Sequence, residues 1–458
     1  MIPDWLQPTI VLFPFAAWIF WGVGIPWALA LLPRDLWRER ITVITLGMAL
    51  GPLGVTVILF ALGTAGRITL AGTLVGSAVL AGVGIAVSFQ RSAFSKNKSG
   101  LTLDESGRIE NSEARGVNFG ERLILVGIAL LIGLNVIVTA YWPFLAYDVL
   151  WVFGYNARVF VLEGHIPSEI GYYPQLIPLS YTTMQQAWEA LGHAAINDHA
   201  ARVVIPWFNV TAILMAYQLG RRVFQSRRVA LLSAAVWAFY PHVAAWSGAG
   251  DLEIALTLYV TGAAAFFVEA WRTERARFAV ISGVLLAGAL WTKPTGGALA
   301  LGVMLAVGGF MLLHARQPKI WWPKLRIALI TGLVCAPVGS MWYVRNLALG
   351  HEAVTFPATY WHSFAQRSGQ ELGWPLLIAA LVAGGIAISR QPSAFSKSKG
   401  EEGTTAGDSP LSLRSGERGQ GIGVKKQGAA SSAPTHNRMV RFLPLLALIL
   451  MIAGALPT

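Results

Sequence analysis

Five short stretches place ionisable side chains beside long apolar runs. Asp148 lies in AYDVLW, Arg158 in GYNARVF, and Asp251 and Glu253 in SGAGDLEIAL. Lys293 lies in LWTKPTGG and Arg345 in MWYVRNLALG. A carboxylate in such a place can take a proton from a hydroxyl. A Lys or Arg beside it can stabilise a departing anion. Charge near hydrocarbon is costly, so each group is a candidate for function. Each also has a plainer reading. Asp148 can cap a helix that starts there, Asp251 can cap the next run, and Glu253 can face lipid headgroups. Lys293 and Arg345 can be anchors that reach into the headgroup layer.

The elements that carry these residues read as membrane-spanning helices. The chain is 55% hydrophobic and 13% charged, where a soluble domain has about 25% charged residues. Apolar runs of about 20 residues recur along the whole length, and a β-barrel would show short alternating segments instead. The runs are 9–32, 41–63, 68–89, 123–146, 203–220, 229–246, 252–271, 278–296, 297–314, 327–347, 373–389 and 442–457. The expectation is therefore an all-α, polytopic transmembrane helix bundle of about 12 spans. The first run follows MIPDWLQP, which has no basic residue, and reads as a retained helix rather than a cleaved signal.

Basic residues set the expected orientation. The segments 33–40, 90–122, 221–228, 272–277, 315–326 and 390–441 carry 29 of the 35 Lys and Arg residues. That side is expected to be cytoplasmic, with the N-terminus outside. The same asymmetry accounts for the net charge of +12 without a nucleic-acid partner. Cys335 is the single cysteine, so no intrachain disulfide forms. Residues 91–122 and 391–439 are rich in Ser, Gly, Lys and Glu and share a near-copy, SAFSKNK and SAFSKSK. They read as low-complexity cytoplasmic loops without chemistry.

The longest expected outside loop, 147–202, mixes Trp, Tyr, Phe, Pro and His with charges, as an ordered surface segment does. DVLWVFGYNARVFVLEG reads as a short helix, with Leu150, Trp151, Phe153, Val159, Phe160 and Leu162 along the membrane surface and Arg158 and Glu163 in the headgroup layer. His193, Asp198 and His199 have the chemistry of metal ligands, but their spacing matches no strong motif, and no metal is expected. The expected organisation is a three-helix segment at 1–90, a loop at 91–122, a catalytic core at 123–389, a loop at 390–441 and a last helix at 442–458.

In pattern and order, residues 123–373 resemble the GT-C superfamily of membrane glycosyltransferases, of the protein-mannosyltransferase and aminoarabinose-transferase type. The resemblance rests on Tyr147-Asp148 after a span, an aromatic helix ending in EGHIPS, YYPQLIPLSY at 172–181, GDLEIAL, AGALWTKPTG, and WYVRNLALGHEAVTFP. The chain also departs from the pattern. Val149 follows Asp148 where many relatives carry a second carboxylate, and three spans precede the loop that usually follows the first. Tyr172-Tyr173-Pro174 stands where several relatives have a stretch with an acid. Many relatives end in a soluble outside domain, and this sequence stops at Thr458 just past an apolar run.

The resemblance implies a polyprenyl-phosphate-linked sugar donor at the outer leaflet and an acceptor hydroxyl on protein, lipid or polysaccharide. It implies Asp148 as general base with inversion at the anomeric carbon. Arg345, Lys293 and Arg158 would meet the departing lipid phosphate, and Asp251, Glu253 and Tyr173 would hold sugar or acceptor. It implies no cofactor, and membrane lipid as the surrounding partner. Two other classes stay open. A secondary transporter would show repeated halves and charges at the bilayer midplane, neither of which is found. An O-antigen ligase or polymerase type enzyme would have a more basic outside loop.

Overall fold

The structure is a computed structural model that describes residues 2–96, 118–354 and 366. The expected spans 373–389 and 442–457 and the two low-complexity segments fall wholly or largely outside the described residues. Among the described residues the chain is all helix and turn. Seven helices are long and apolar enough to cross a membrane. They are α1 (Phe13–Leu31), α2 (Arg40–Thr64), α3 (Leu70–Lys96, with the apolar part Leu70–Gln90), α4 (Phe119–Tyr141), Asp198–Phe224, Glu253–Thr273 and Pro294–Leu313. Two bent pairs raise the count to nine. These are Arg227–Phe239 with Pro241–Ala249, and Pro318–Gly339 with Met341–Ala348. Ala276–Thr292 is apolar but shorter. Each of the ten expected spans within the described residues meets one of these helices or pairs.

In chain order the remaining labels are α5 (Gly154–Glu163), α6 (Leu176–Ala190), α7 (Asp198–Phe224), α8 (Arg227–Phe239), α9 (Pro241–Ala249), α10 (Glu253–Thr273), α11 (Ala276–Thr292), α12 (Pro294–Leu313), α13 (Pro318–Gly339) and α14 (Met341–Ala348). The expected span 123–146 ends earlier, at Tyr141, because Trp142 is extended ahead of Pro143.

Of the first three spans, α2 is built into the core, while α1 and α3 are 39% and 22% buried. The apolar stretch of α2 is 78% buried, against 22% for α4 and 11% for α12, which leave wide faces for lipid. Gly24 and Gly51 let α1 and α2 touch backbone to backbone. A Cβ on Gly24 would lie 1.8 Å from the Gly47 carbonyl oxygen, and one on Gly51 would lie 2.0 Å from that of Ile19. Small residues permit this approach where no hydrophobic effect drives helices together. Trp207 of α7 sits in a nest of Phe13, Phe20 and Trp21, with ring centroids 5.3, 5.4 and 4.9 Å away. The Tyr259 hydroxyl of α10 donates to the Ala49 carbonyl of α2 at 2.9 Å, and the Thr42 hydroxyl donates to Gln218 Oε1 at 3.2 Å.

The polar groups sort to two ends of the bundle. At one, Arg275 pairs with Asp35 at 2.9 Å, Lys324 pairs with Glu274 at 2.7 Å, and Glu269 binds Arg272 at 2.7 Å with Arg222 at 3.8 Å. This is the basic end that the loop charges define. At the other, the segments 65–69 and 340–354 join the segment 142–202. The Ile68 N–H donates to the Gly164 carbonyl at 2.7 Å, Gln186 Nε2 to that of Ile68 at 3.2 Å, and Asn346 Nδ2 to that of Gly171 at 2.8 Å.

Gly51→Leu is expected to push the α1 backbone away and to destabilise the chain by about 1–3 kcal/mol, as overpacking does. Thermal unfolding of the detergent-solubilised protein checks this. An unchanged midpoint would show that α1 and α2 do not depend on the contact.

Candidate functional site

The site forms at the non-basic end, where two broken helices turn. The first break is at Tyr240, which is extended ahead of Pro241. The α8 helix stops there, and α9 restarts at an angle of 64°. The α9 helix ends at Gly250, whose φ of 86° is left-handed. A Cβ there would also lie 2.8 Å from Ile205 Cδ1 and 2.9 Å from the Tyr181 hydroxyl, so glycine is required on both counts.

Two side chains hold the carbonyls left open where α9 ends. Arg202 is 2% exposed. It donates through Nη2 to Gly248 at 2.7 Å, through Nη1 to Ala249 at 3.4 Å, and through Nε to Thr139 at 3.0 Å. The Tyr181 hydroxyl donates to the Gly250 carbonyl. The guanidinium also lies 5.6 Å from the centre of the Phe144 ring.

This clamp presents Asp251, which accepts the Leu252 N–H at 2.7 Å. Asp251 does not cap α10, whose N-cap is Leu252 and has no side-chain cap bond. Burial raises the Asp251 carboxyl to about 7, helped next by the charge of Glu253; a hydrogen bond to Glu253 and the charge of Asp148 push the same way. Glu253 binds Lys293 Nζ through Oε1 at 3.0 Å. Its other oxygen, Oε2, is buried.

Asp148 reaches the site from a separate segment, just after Pro143. It is exposed, stands at the N-cap position of the turn Val149–Phe153, and makes no side-chain cap bond. The capping explanation for Asp148 therefore fails. Tyr173 is half-buried with its ring edge against Phe153, centroids 5.7 Å apart. Burial raises its hydroxyl pKa, with Tyr172, Asp148 and Glu253 adding to the effect. Asp148, Tyr173, Asp251, Glu253 and Lys293 thus share one electrostatic neighbourhood.

The other two expected residues have different partners. Arg345 donates through Nη1 to Ile170 at 2.9 Å and through Nη2 to Pro167 at 2.7 Å and Ile166 at 3.4 Å. It holds the loop that leads to Tyr173. Arg158 pairs with Asp198 at 2.7 Å. Of the residues expected along a membrane surface, Trp151 and Leu162 are exposed, and the expectation is corrected for Phe153 and Phe160, which are buried in the core. His193 stacks on Trp188 at 3.8 Å, and the His199 ring contacts the Ala140 carbonyl at 2.7 Å. With Asp198 on Arg158, these three residues turn to separate partners. Among the described residues no group of three His, Cys, Asp or Glu side chains is placed to hold a metal.

Sequence reasoning missed Arg202 and Tyr181. Arg202 counted only as one basic residue on the sparse side, and its single signal was a cation in an otherwise apolar run, HAARVVIPW.

The model of the family described as dolichyl-phosphate-mannose-protein mannosyltransferase matches residues 184–342. The match covers Arg202, Asp251, Glu253 and Lys293 and supports a membrane glycosyltransferase of GT-C type. No curated protein matches the chain.

The raised Asp251 pKa has a stability consequence. Between the ordinary carboxylate range and about 7 the folded state binds a proton that the unfolded state has released. Stability must therefore fall as pH rises through that window. Asp251→Asn keeps an oxygen for the Leu252 N–H and removes the titration. Its unfolding midpoint is expected to decline less than that of the wild type between the ordinary carboxylate range and about 7. Parallel profiles would show that Asp251 titrates as an ordinary carboxylate.

Proposed function

We propose that the chain moves a sugar from a polyprenyl-phosphate donor to an acceptor hydroxyl on the extracytoplasmic face, with inversion and with Asp148 as general base. The observation that carries this reading is the convergence of Asp148, Asp251, Glu253, Lys293 and Tyr173 at one end of the bundle. Asp148 is the open carboxylate of this set, and no side-chain bond to the helix start engages it.

The acceptor oxygen bonds to the anomeric carbon as the bond from that carbon to the lipid phosphate breaks. The acceptor proton passes to Asp148, and the lipid phosphate leaves with its bonding electron pair. Lys293 is the cation of this set and meets the anion that forms, while Glu253 holds its ammonium in place. Asp251 and Tyr173 hydrogen-bond the sugar or acceptor hydroxyls. Arg345 acts through the 166–170 loop rather than on the phosphate, and Arg158 through Asp198. The exposed rings of Tyr147, Trp151 and Tyr155 suit a membrane surface, where aromatic side chains are at home.

Asp148→Asn is expected to keep donor binding and to lose transfer by about 10²–10⁴-fold, the range of general-base catalysis. Release of labelled sugar from polyprenyl-phosphate donors by the protein in lipid measures it. Equal turnover by wild type and variant would remove Asp148 from the role and pass it to Asp251 or Glu253. Lys293→Gln should lower kcat more than it raises KM, because its charge matters most as the phosphate departs. A pure KM effect would make Lys293 a ground-state binding group.

A further inference from the structure

The opposite, basic end has a cavity of about 520 Å³ that the transfer reaction does not use. Its size falls within the range of small-molecule sites, about 300–1,000 Å³. One wall is apolar and comes from the end of α1 and the residues after it, Leu29, Leu32 and Pro33. The other is formed by Arg275, Ala276 and Arg277 at the start of α11. Arg34 completes the rim and lies 5.8 Å from the centre of the Trp37 ring. Asp35 is the acid in the lining, and it pairs with Arg275 at 2.9 Å. Three guanidinium groups against one carboxylate give the lining a net positive charge. The α11 helix also begins on its wall without a side-chain cap, which adds the partial positive charge of a helix N-terminus.

We propose that this cavity binds the phosphate of an anionic glycerophospholipid. The combination of walls identifies the ligand. Arginines recognise a phosphate by paired N–H donors, and a free phosphate has no use for Leu29 and Leu32. A lipid meets both: its phosphate sits among Arg34, Arg275 and Arg277, and its acyl chains run along the apolar wall into the bilayer. The position agrees, because α1 ends at Leu31 and the arginines therefore lie at the level where a span leaves the membrane. Basic residues at that level attract anionic lipids.

Native mass spectrometry of the full detergent-solubilised chain, titrated with dioleoyl phosphatidylglycerol or dioleoyl phosphatidylcholine, tests the proposal. The wild type is expected to bind the anionic lipid about tenfold more tightly, and the double variant R34Q/R277Q to lose that preference. Leu29→Trp fills the cavity without changing charge and is expected to weaken the lipid as well, which keeps the test valid if the double variant misfolds. R316Q/K319Q removes charge at the same end outside the cavity and should retain the preference. Equal binding of the two lipids, or an unchanged preference in both R34Q/R277Q and L29W, overturns the proposal. Inorganic phosphate that binds the cavity as tightly as the lipid would also overturn it, by making the ligand a free anion.

Discussion

The buried guanidinium of Arg202 is the interaction on which the non-basic end depends. Backbone carbonyls at membrane depth have no water to satisfy them, so a helix can break there only where side chains supply donors. The chain breaks its sixth span at Tyr240 and ends α9 at Gly250. Arg202 from α7 and Tyr181 from α6 supply the missing donors to Gly248, Ala249 and Gly250. The position of Asp251 is therefore set by two helices remote from it in sequence. Removing the Arg202 side chain would leave the carbonyls of Thr139, Gly248 and Ala249 unmet and the loop free to move. Those carbonyls and the Phe144 face offset the cost of burying the cation.

A second arginine does similar work across the site. Arg345 gathers the carbonyls of Ile166, Pro167 and Ile170, while Asn346 and His351 take those of Gly171 and Ser168. The backbone that carries Tyr173 is thus fixed from α14 and the turn after it, as the backbone that carries Asp251 is fixed from α7. The Glu253–Lys293 pair belongs to the same neighbourhood as these two clamped segments. Sites of this kind need rigid supports, because small displacements of the reacting groups are costly.

The helices were legible because a membrane span needs a long apolar run, and apolar length is a property of sequence alone. The same property hid the bends. The run 229–246 reads as continuous through Tyr240 and Pro241, and 327–347 reads through Ser340, yet the pairs bend by 64° and 47°. The gathering of Asp148, Asp251, Glu253 and Lys293 was legible because each sits where a run begins or ends on the sparse side. The roles of the arginines were not. An arginine that satisfies carbonyls and one that meets a phosphate have the same residue type at the same boundary. What separates them in Arg345 is a set of carbonyls far earlier in the chain, at 166–170. The faces of 149–163 were hidden for a related reason. Its apolar residues lie all round, so periodicity does not say that Phe153 and Phe160 turn inward while Trp151 and Leu162 turn out.

The three carboxylates have different surroundings. Asp251 is half-buried beside Glu253, and two neighbouring carboxylates favour one proton between them. Glu253 has the Lys293 ammonium on one oxygen. Asp148 stands in the open at the exposed rim. On the proposed reading, this separates a hydrogen-bond donor, an anchored anion and a free base within one site, by environment alone. On that reading the clamp on residues 248–250 maintains the separation, because a looser loop would expose Asp251 further and bring its carboxyl back toward the ordinary range. On the proposed reading Arg202 therefore bears on the chemistry without touching the reacting atoms, and the requirement to satisfy backbone carbonyls in a membrane becomes the means by which the carboxylates are told apart.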